Sequence, residues 1–104
     1  MRKGVRVMMA PIDWSDEYPG AITVCDAQGI ILYMNRKAVK VLVGEGPSVI
    51  GKNVLDCHPE PARSKLAEML KTQTPNSYTI EKNGIKKLIH QSPWYQNGQY
   101  MGFV

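Results

Sequence analysis

Two Asn-Gly dipeptides, Asn83-Gly84 and Asn97-Gly98, stand in the last quarter of the chain, each between runs of strand-like composition. A two-residue type I′ hairpin turn needs positive φ at both central positions, and Asn-Gly supplies it at least cost. The C-terminal third, from Ser77 to Val104, therefore reads as three antiparallel strands in a meander. Counting from the first turn sets Lys82 opposite Ile85, Ile80 opposite Lys87 and Tyr78 opposite Ile89 on one side. Thr79, Glu81, Lys86, Leu88 and His90 share the other, where Glu81 meets Lys86 as an opposite-charge pair. With Tyr78, Ile80 and Ile89 turned inward, Leu88 and His90 lie on the outer face. Counting from the second turn sets Trp94 opposite Met101 and Ser92 opposite Phe103, which adds Trp94, Met101 and Phe103 to that face unless Pro93 bulges the strand. Gly102 then falls inside, opposite Pro93, where it leaves room beside a ligand or relieves strand crowding.

The preceding part of the chain alternates between periods. "DWSDEYPG" (Asp13 to Gly20) offers Ser15 as a cap, acids in a first turn and Pro19-Gly20 as a stop, so one short helical turn is expected. Ala21 to Cys25 and Ile30 to Met34 are two short β-rich runs around "DAQG", where Asp26 can bond its own turn and Gly29 can take positive φ. Asn35 follows the second run and is placed to cap a helix through Ala38, Val39, Leu42 and Val43 that Gly44 ends. After a loop and a short turn at Val54-Leu55, "EPARSKLAEMLK" places Ala62, Leu66, Met69 and Leu70 on one stripe of the longest helix. Two strands, helices, then three strands imply an α+β fold with a five-stranded antiparallel sheet and helices packed on one face.

Composition narrows the function classes. At 104 residues with 43% hydrophobic content the chain supports one core. The net charge of +4 comes from scattered basic residues without an aromatic-lined stripe, which argues for a solvated surface and against direct nucleic-acid binding. Two cysteines, Cys25 and Cys57, are too few for a disulfide scaffold or a metal finger, and no run is long enough to span a membrane. A cytoplasmic location is the expectation.

"AITVCDAQGIILYMNRKAVKVLVG" resembles the opening of a PAS domain through Asp26, Gly29, Tyr33, Asn35 and Gly44 in that order. "VIGKNV" (Val49 to Val54) resembles the next landmark of that family, and the closing Asn-Gly hairpin before "YMGFV" resembles its last two strands. The resemblance covers residues 14–104 and leaves 1–13 as an N-terminal extension or cap; the chain stops inside what should be the last strand. It implies a pocket between sheet and helices that holds haem, flavin, a metabolite or nothing, in a module that is itself no enzyme and controls an attached kinase, cyclase or transcription regulator. Flavin photochemistry is disfavoured, because Val54 follows Gly51-Lys52-Asn53 where light-sensing relatives carry a reactive Cys. Haem stays open, since haem-binding relatives take their axial His from the region of His58.

"CHPEP" (Cys57 to Pro61) has two readings. In one, Cys57 is a small buried hydrophobe and the prolines only start the long helix. In the other, a positive helix end holds a thiolate, a metal or an acidic ligand group at Cys57-His58. A hydrolase dyad fails, since adjacent residues point apart and nothing orients the His. Tyr33, Cys57, His58 and Tyr78 are the ligand candidates; the catalytic and metal sets are empty. "IILYM" and "YMGFV" are apolar on both sides, so the outer face needs a cover, either Val5 to Trp14 or a second copy in a homodimer. The function classes are then a small-molecule sensor, a ligand-free dimerisation module, and a haem sensor.

Overall fold

The computed structural model describes residues 13–104. The expected cover from Val5 to Trp14, and the extension over residues 1–13, fall outside those residues except for Asp13 and Trp14. The described chain runs β1 (Thr23–Asp26), β2 (Ile31–Met34), α1 (Arg36–Ala38), a π-helical turn (Val39–Val43), a 3-10 turn (Val54–Cys57) and α2 (Ala62–Thr72). Four strands follow: β3 (Asn76–Lys82), β4 (Ile85–Gln91), β5 (Pro93–Gln96) and β6 (Gln99–Phe103).

The α+β class and the antiparallel pairing are as the sequence implies. One sheet has the order β2-β1-β6-β5, and β3-β4 form a second. β4 and β5 are one strand path interrupted at Ser92, whose N–H and C=O both pair with Val104 at 2.9 Å. The β3 ladder ends at Gln91, just short of Pro93, which cannot donate, while the β6 ladder reaches Ser92 through Val104. The five-strand path therefore exists, with its fourth strand divided. Both Asn-Gly turns have positive φ at each central residue, and the β3-β4 register matches the count across Asn83-Gly84 at every pair from Asn76↔Gln91 to Lys82↔Ile85.

The second count needs correction. Trp94 pairs with Gly102 and Pro93 with Phe103, because a shift between Trp94 and Tyr95 adds one residue, Met101, to β6. That bulge turns Phe103 inward. Phe103 is buried beside Tyr100 and pairs with Cys25, so it leaves the outer face on which it was expected. Gly102 opens no space for a ligand: a Cβ there would overlap the Cys25 carbonyl oxygen.

The core is small and local to the first sheet: Cys25, Ile31, Met34, Ala38, Val54, Leu66, Met69, Leu70 and Phe103. Leu66, Met69 and Leu70 form the expected stripe, while Ala62 at the first turn is exposed. The π-helical turn, closed by Gly44 N–H to Val39 C=O at 2.8 Å, spreads its residues wider than 3.6 per turn and turns Val39 and Leu42 outward, leaving Val43 against the core. Tyr78, Ile80 and Ile89 share one face as counted, yet Tyr78 and Ile80 are exposed. The core that α2 helps to build includes no residue of β3 or β4.

Candidate functional site

The junction of β2 with α1 carries the densest polar organisation. Asn35 is wholly buried and uses its entire amide. Its Oδ1 accepts from Ala38 N–H and from Ile22 N–H, both at 2.9 Å, so the helix cap is also a tie to the approach of β1. Its Nδ2 donates to the carbonyls of Ser15 and Gly20 at 2.8 Å. Two neighbours reach the same turn. The Tyr33 hydroxyl meets Ser15 Oγ at 3.1 Å, and Arg36 binds Asp16 twice, backbone N–H to C=O at 3.1 Å and Nε to Oδ2 at 2.8 Å. The Asp16 carboxylate raises the Arg36 pKa, first through that hydrogen bond and then through its charge.

This pinned turn borders a groove of about 620 Å³ lined by Asp16, Met34, Arg36, Val39, Lys40, Gly44 and Glu45. A shallower one beside it adds Glu17, Tyr18, Pro19 and Lys37. The first groove is lined by the apolar Met34 and Val39 together with side chains of both signs of charge.

The middle landmark packs against the β1-β2 turn. Asn53 caps the 3-10 turn through Leu55 N–H at 2.9 Å and donates to Gln28 C=O at 3.0 Å. Gly29, at φ 92°, is where that side chain lands, and a Cβ there would sit 2.8 Å from Asn53 Oδ1.

The four ligand candidates do not converge. Tyr33 points to Ser15, and Tyr78 stands exposed on β3. Cys57 is exposed, not a buried hydrophobe, because it ends the 3-10 turn and lies five residues before α2 begins. Its Sγ contacts Asn53 C=O at 3.8 Å, and His58 Nδ1 contacts Val54 C=O at 2.6 Å. Both side chains fold back on the 3-10 turn, so neither starts α2. Glu60 does that work, accepting Ser64 N–H at 3.0 Å and Ser64 Oγ–H at 2.8 Å, which hold its carboxyl below the usual range. Neither of the two grooves is lined by His58, whose Nδ1 lies on the Val54 carbonyl, so neither groove sets a haem against it.

Of the interface candidates, Leu88 and His90 are exposed on β4, where His90 Nδ1 contacts Ser77 Oγ at 2.5 Å. Met101 is half-buried in the β6 bulge. Trp94 is half-buried: its indole N–H passes over Gly102 to Cys25 C=O at 3.0 Å. The Asp16–Arg36 tie and the Trp94–Gly102 crossing were not read from sequence. The acidic turn at 13–17 and the basic pair Arg36-Lys37 were the only signal for the first, and a bulge-dependent contact leaves none.

A family model described as PAS fold matches residues 15–87. Among solved structures, the PAS domain of BvgS from Bordetella pertussis superposes with a TM-score of 0.61 at 20% identity, covering 86% of this chain and 75% of that one. At that identity the likeness concerns the fold. No curated protein matches the sequence.

Proposed function

The chain belongs to the PAS-fold family, and from that premise we propose that it is a sensory module of a larger signalling protein, reading a small molecule and relaying it to an attached effector. The observation that carries this reading is the Arg36–Asp16 ion pair at the rim of the groove. One guanidinium both walls the groove and holds the turn at 13–20. A small carboxylate or phosphate entering over Met34 and Val39 would be drawn to Lys40 and would compete with Asp16 for Arg36. Release of Asp16 loosens one of three ties on the turn, and so converts occupancy into movement of the segment that leads into β1. Of the earlier ligand candidates, Tyr33 belongs to this relay through Ser15; Cys57, His58 and Tyr78 lie outside the groove lining. Native mass spectrometry of freshly purified protein tests the reading by reporting retained small molecules. Retention that falls on Lys40→Gln or Arg36→Gln supports it. No retained species, together with no NMR shift at Arg36 or Lys40 on addition of small carboxylates and phosphates, refutes it.

A second reading, a homodimerisation module that needs no ligand, is favoured by exposed apolar surface on the second sheet, with Leu88 72% and Ile85 60% exposed. Leu88, His90, Trp94 and Met101 remain its interface candidates.

A further inference from the structure

The charges that line the first groove sum to zero. Asp16 and Glu45 are anionic, Arg36 and Lys40 are cationic, and Met34, Val39 and Gly44 carry no charge. Arg36 and Asp16 hold each other, Nε to Oδ2 at 2.8 Å. Among the described residues neither Lys40 nor Glu45 has an opposite charge within ion-pair distance, so the groove offers one cation, one anion and two apolar side chains. The two charges flank one helix end. Lys40 lies in the last turn of the helical segment that closes at Val43, and Glu45 follows Gly44, which ends it at φ 64°. Carbonyls at a helix C-terminus carry negative partial charge, which adds to that of Glu45. Gly44 leaves space there, since a Cβ on it would meet nothing within 4 Å.

We propose that this groove takes a free α-amino acid with an apolar side chain, its carboxylate on Lys40, its ammonium on Glu45 and its side chain on Met34 and Val39. The proposal rests on the reading of the groove as a sensory site and narrows the ligand class. Charge separates the candidates. A dicarboxylate or a phosphate brings further negative charge, which Glu45 repels. A monocarboxylate leaves Glu45 unanswered, and an amine leaves Lys40 so. An α-amino acid is ionised at both groups at neutral pH and carries them on one carbon, so it answers both residues and matches a lining of zero net charge. One exposed ion pair contributes little, which makes the combination of two charges with apolar contact the source of selectivity. A carboxylate at Lys40 still competes with Asp16 for Arg36, so the relay to the 13–20 turn is kept.

The test is an NMR titration of the whole chain with three ligands of one shape: L-valine, isovalerate, which lacks the ammonium, and isobutylamine, which lacks the carboxylate. L-valine should bind tighter than either by about threefold or more, the scale of one exposed ion pair, with shifts at Lys40, Gly44 and Glu45. Glu45→Gln should erase its advantage over isovalerate, and Lys40→Gln its advantage over isobutylamine. Both positions are exposed, and circular dichroism checks that the variants keep the fold; the comparison of ligands on the unmodified protein stands without them. Isovalerate binding as tightly as L-valine overturns the inference and leaves the sensing of small carboxylates in place. Succinate or inorganic phosphate binding tighter than L-valine does the same, as does an advantage over isovalerate that survives Glu45→Gln. No shift with any of these ligands removes the inference and the sensory reading of the groove together.

Discussion

Replacing Asn35 by Ala should destabilise the domain by about 3 kcal/mol, well beyond the loss of a helix cap. The cap bond to Ala38 N–H accounts for about 1 kcal/mol. Ile22 N–H loses its acceptor in a partly buried position, at about 1 kcal/mol more. The carbonyls of Ser15 and Gly20 lose charge-free donors and are partly recovered by water, at roughly 0.5 kcal/mol each. For a domain of this size about 3 kcal/mol corresponds to a fall in Tm of roughly 12–24 °C. Urea titration followed by circular dichroism checks it, with the midpoint moving and the slope unchanged. A loss below about 1 kcal/mol would mean that only the cap matters and that the ties to the 15–20 turn carry nothing. Asn35→Asp separates the two halves of the amide. It keeps both acceptors and aims a carboxylate at two carbonyls, so its folded-state pKa lies above the unfolded one. Its penalty should be full above that raised value and shrink as pH falls through it.

Gly102→Ala should cost about 3 kcal/mol or more, since its methyl has no room against Cys25 C=O at the β1-β6 pairing; thermal melts would show it, and a neutral result would mean the strands can separate freely. In native protein one thiol should react with a maleimide quickly, at exposed Cys57, while Cys25 stays silent until denaturant is added, because burial pushes its thiol pKa up and hides it; two fast thiols would contradict the core. Glu60 supports the fold above the ordinary carboxylate range, and that support fades as pH falls through its depressed value. NMR titration of Ser64→Ala should find the Glu60 carboxyl moved upward; an unmoved value would remove Ser64 as the cause.

What the sequence disclosed was what short-range rules govern. Asn-Gly turns fix a register by counting, and Asn35 is legible as a cap because its acceptor bond is three residues away. The failures lie where a distant partner decides. Whether Phe103 points in or out depends on one extra residue at Met101, and no local preference places a bulge. The habits of its residue type favour a buried Cys57 as one of two readings, yet a 3-10 turn and two prolines hold it exposed and away from α2. The groove depends on Asp16 meeting Arg36 across twenty positions, which pattern reading does not reach.

The pairing of Cys25 with Phe103 joins nearly the two ends of the described chain. Hairpins such as β3-β4 form within microseconds from neighbouring residues, whereas the β1-β6 ladder must wait until the segment between Cys25 and Phe103 has closed on itself. Folding of this domain is therefore governed by a late, long-range closure between β1 and the last strand. Until it happens the β3-β4 hairpin can exist alone, while Phe103 has yet to meet both Cys25 and Pro93 and complete the first sheet.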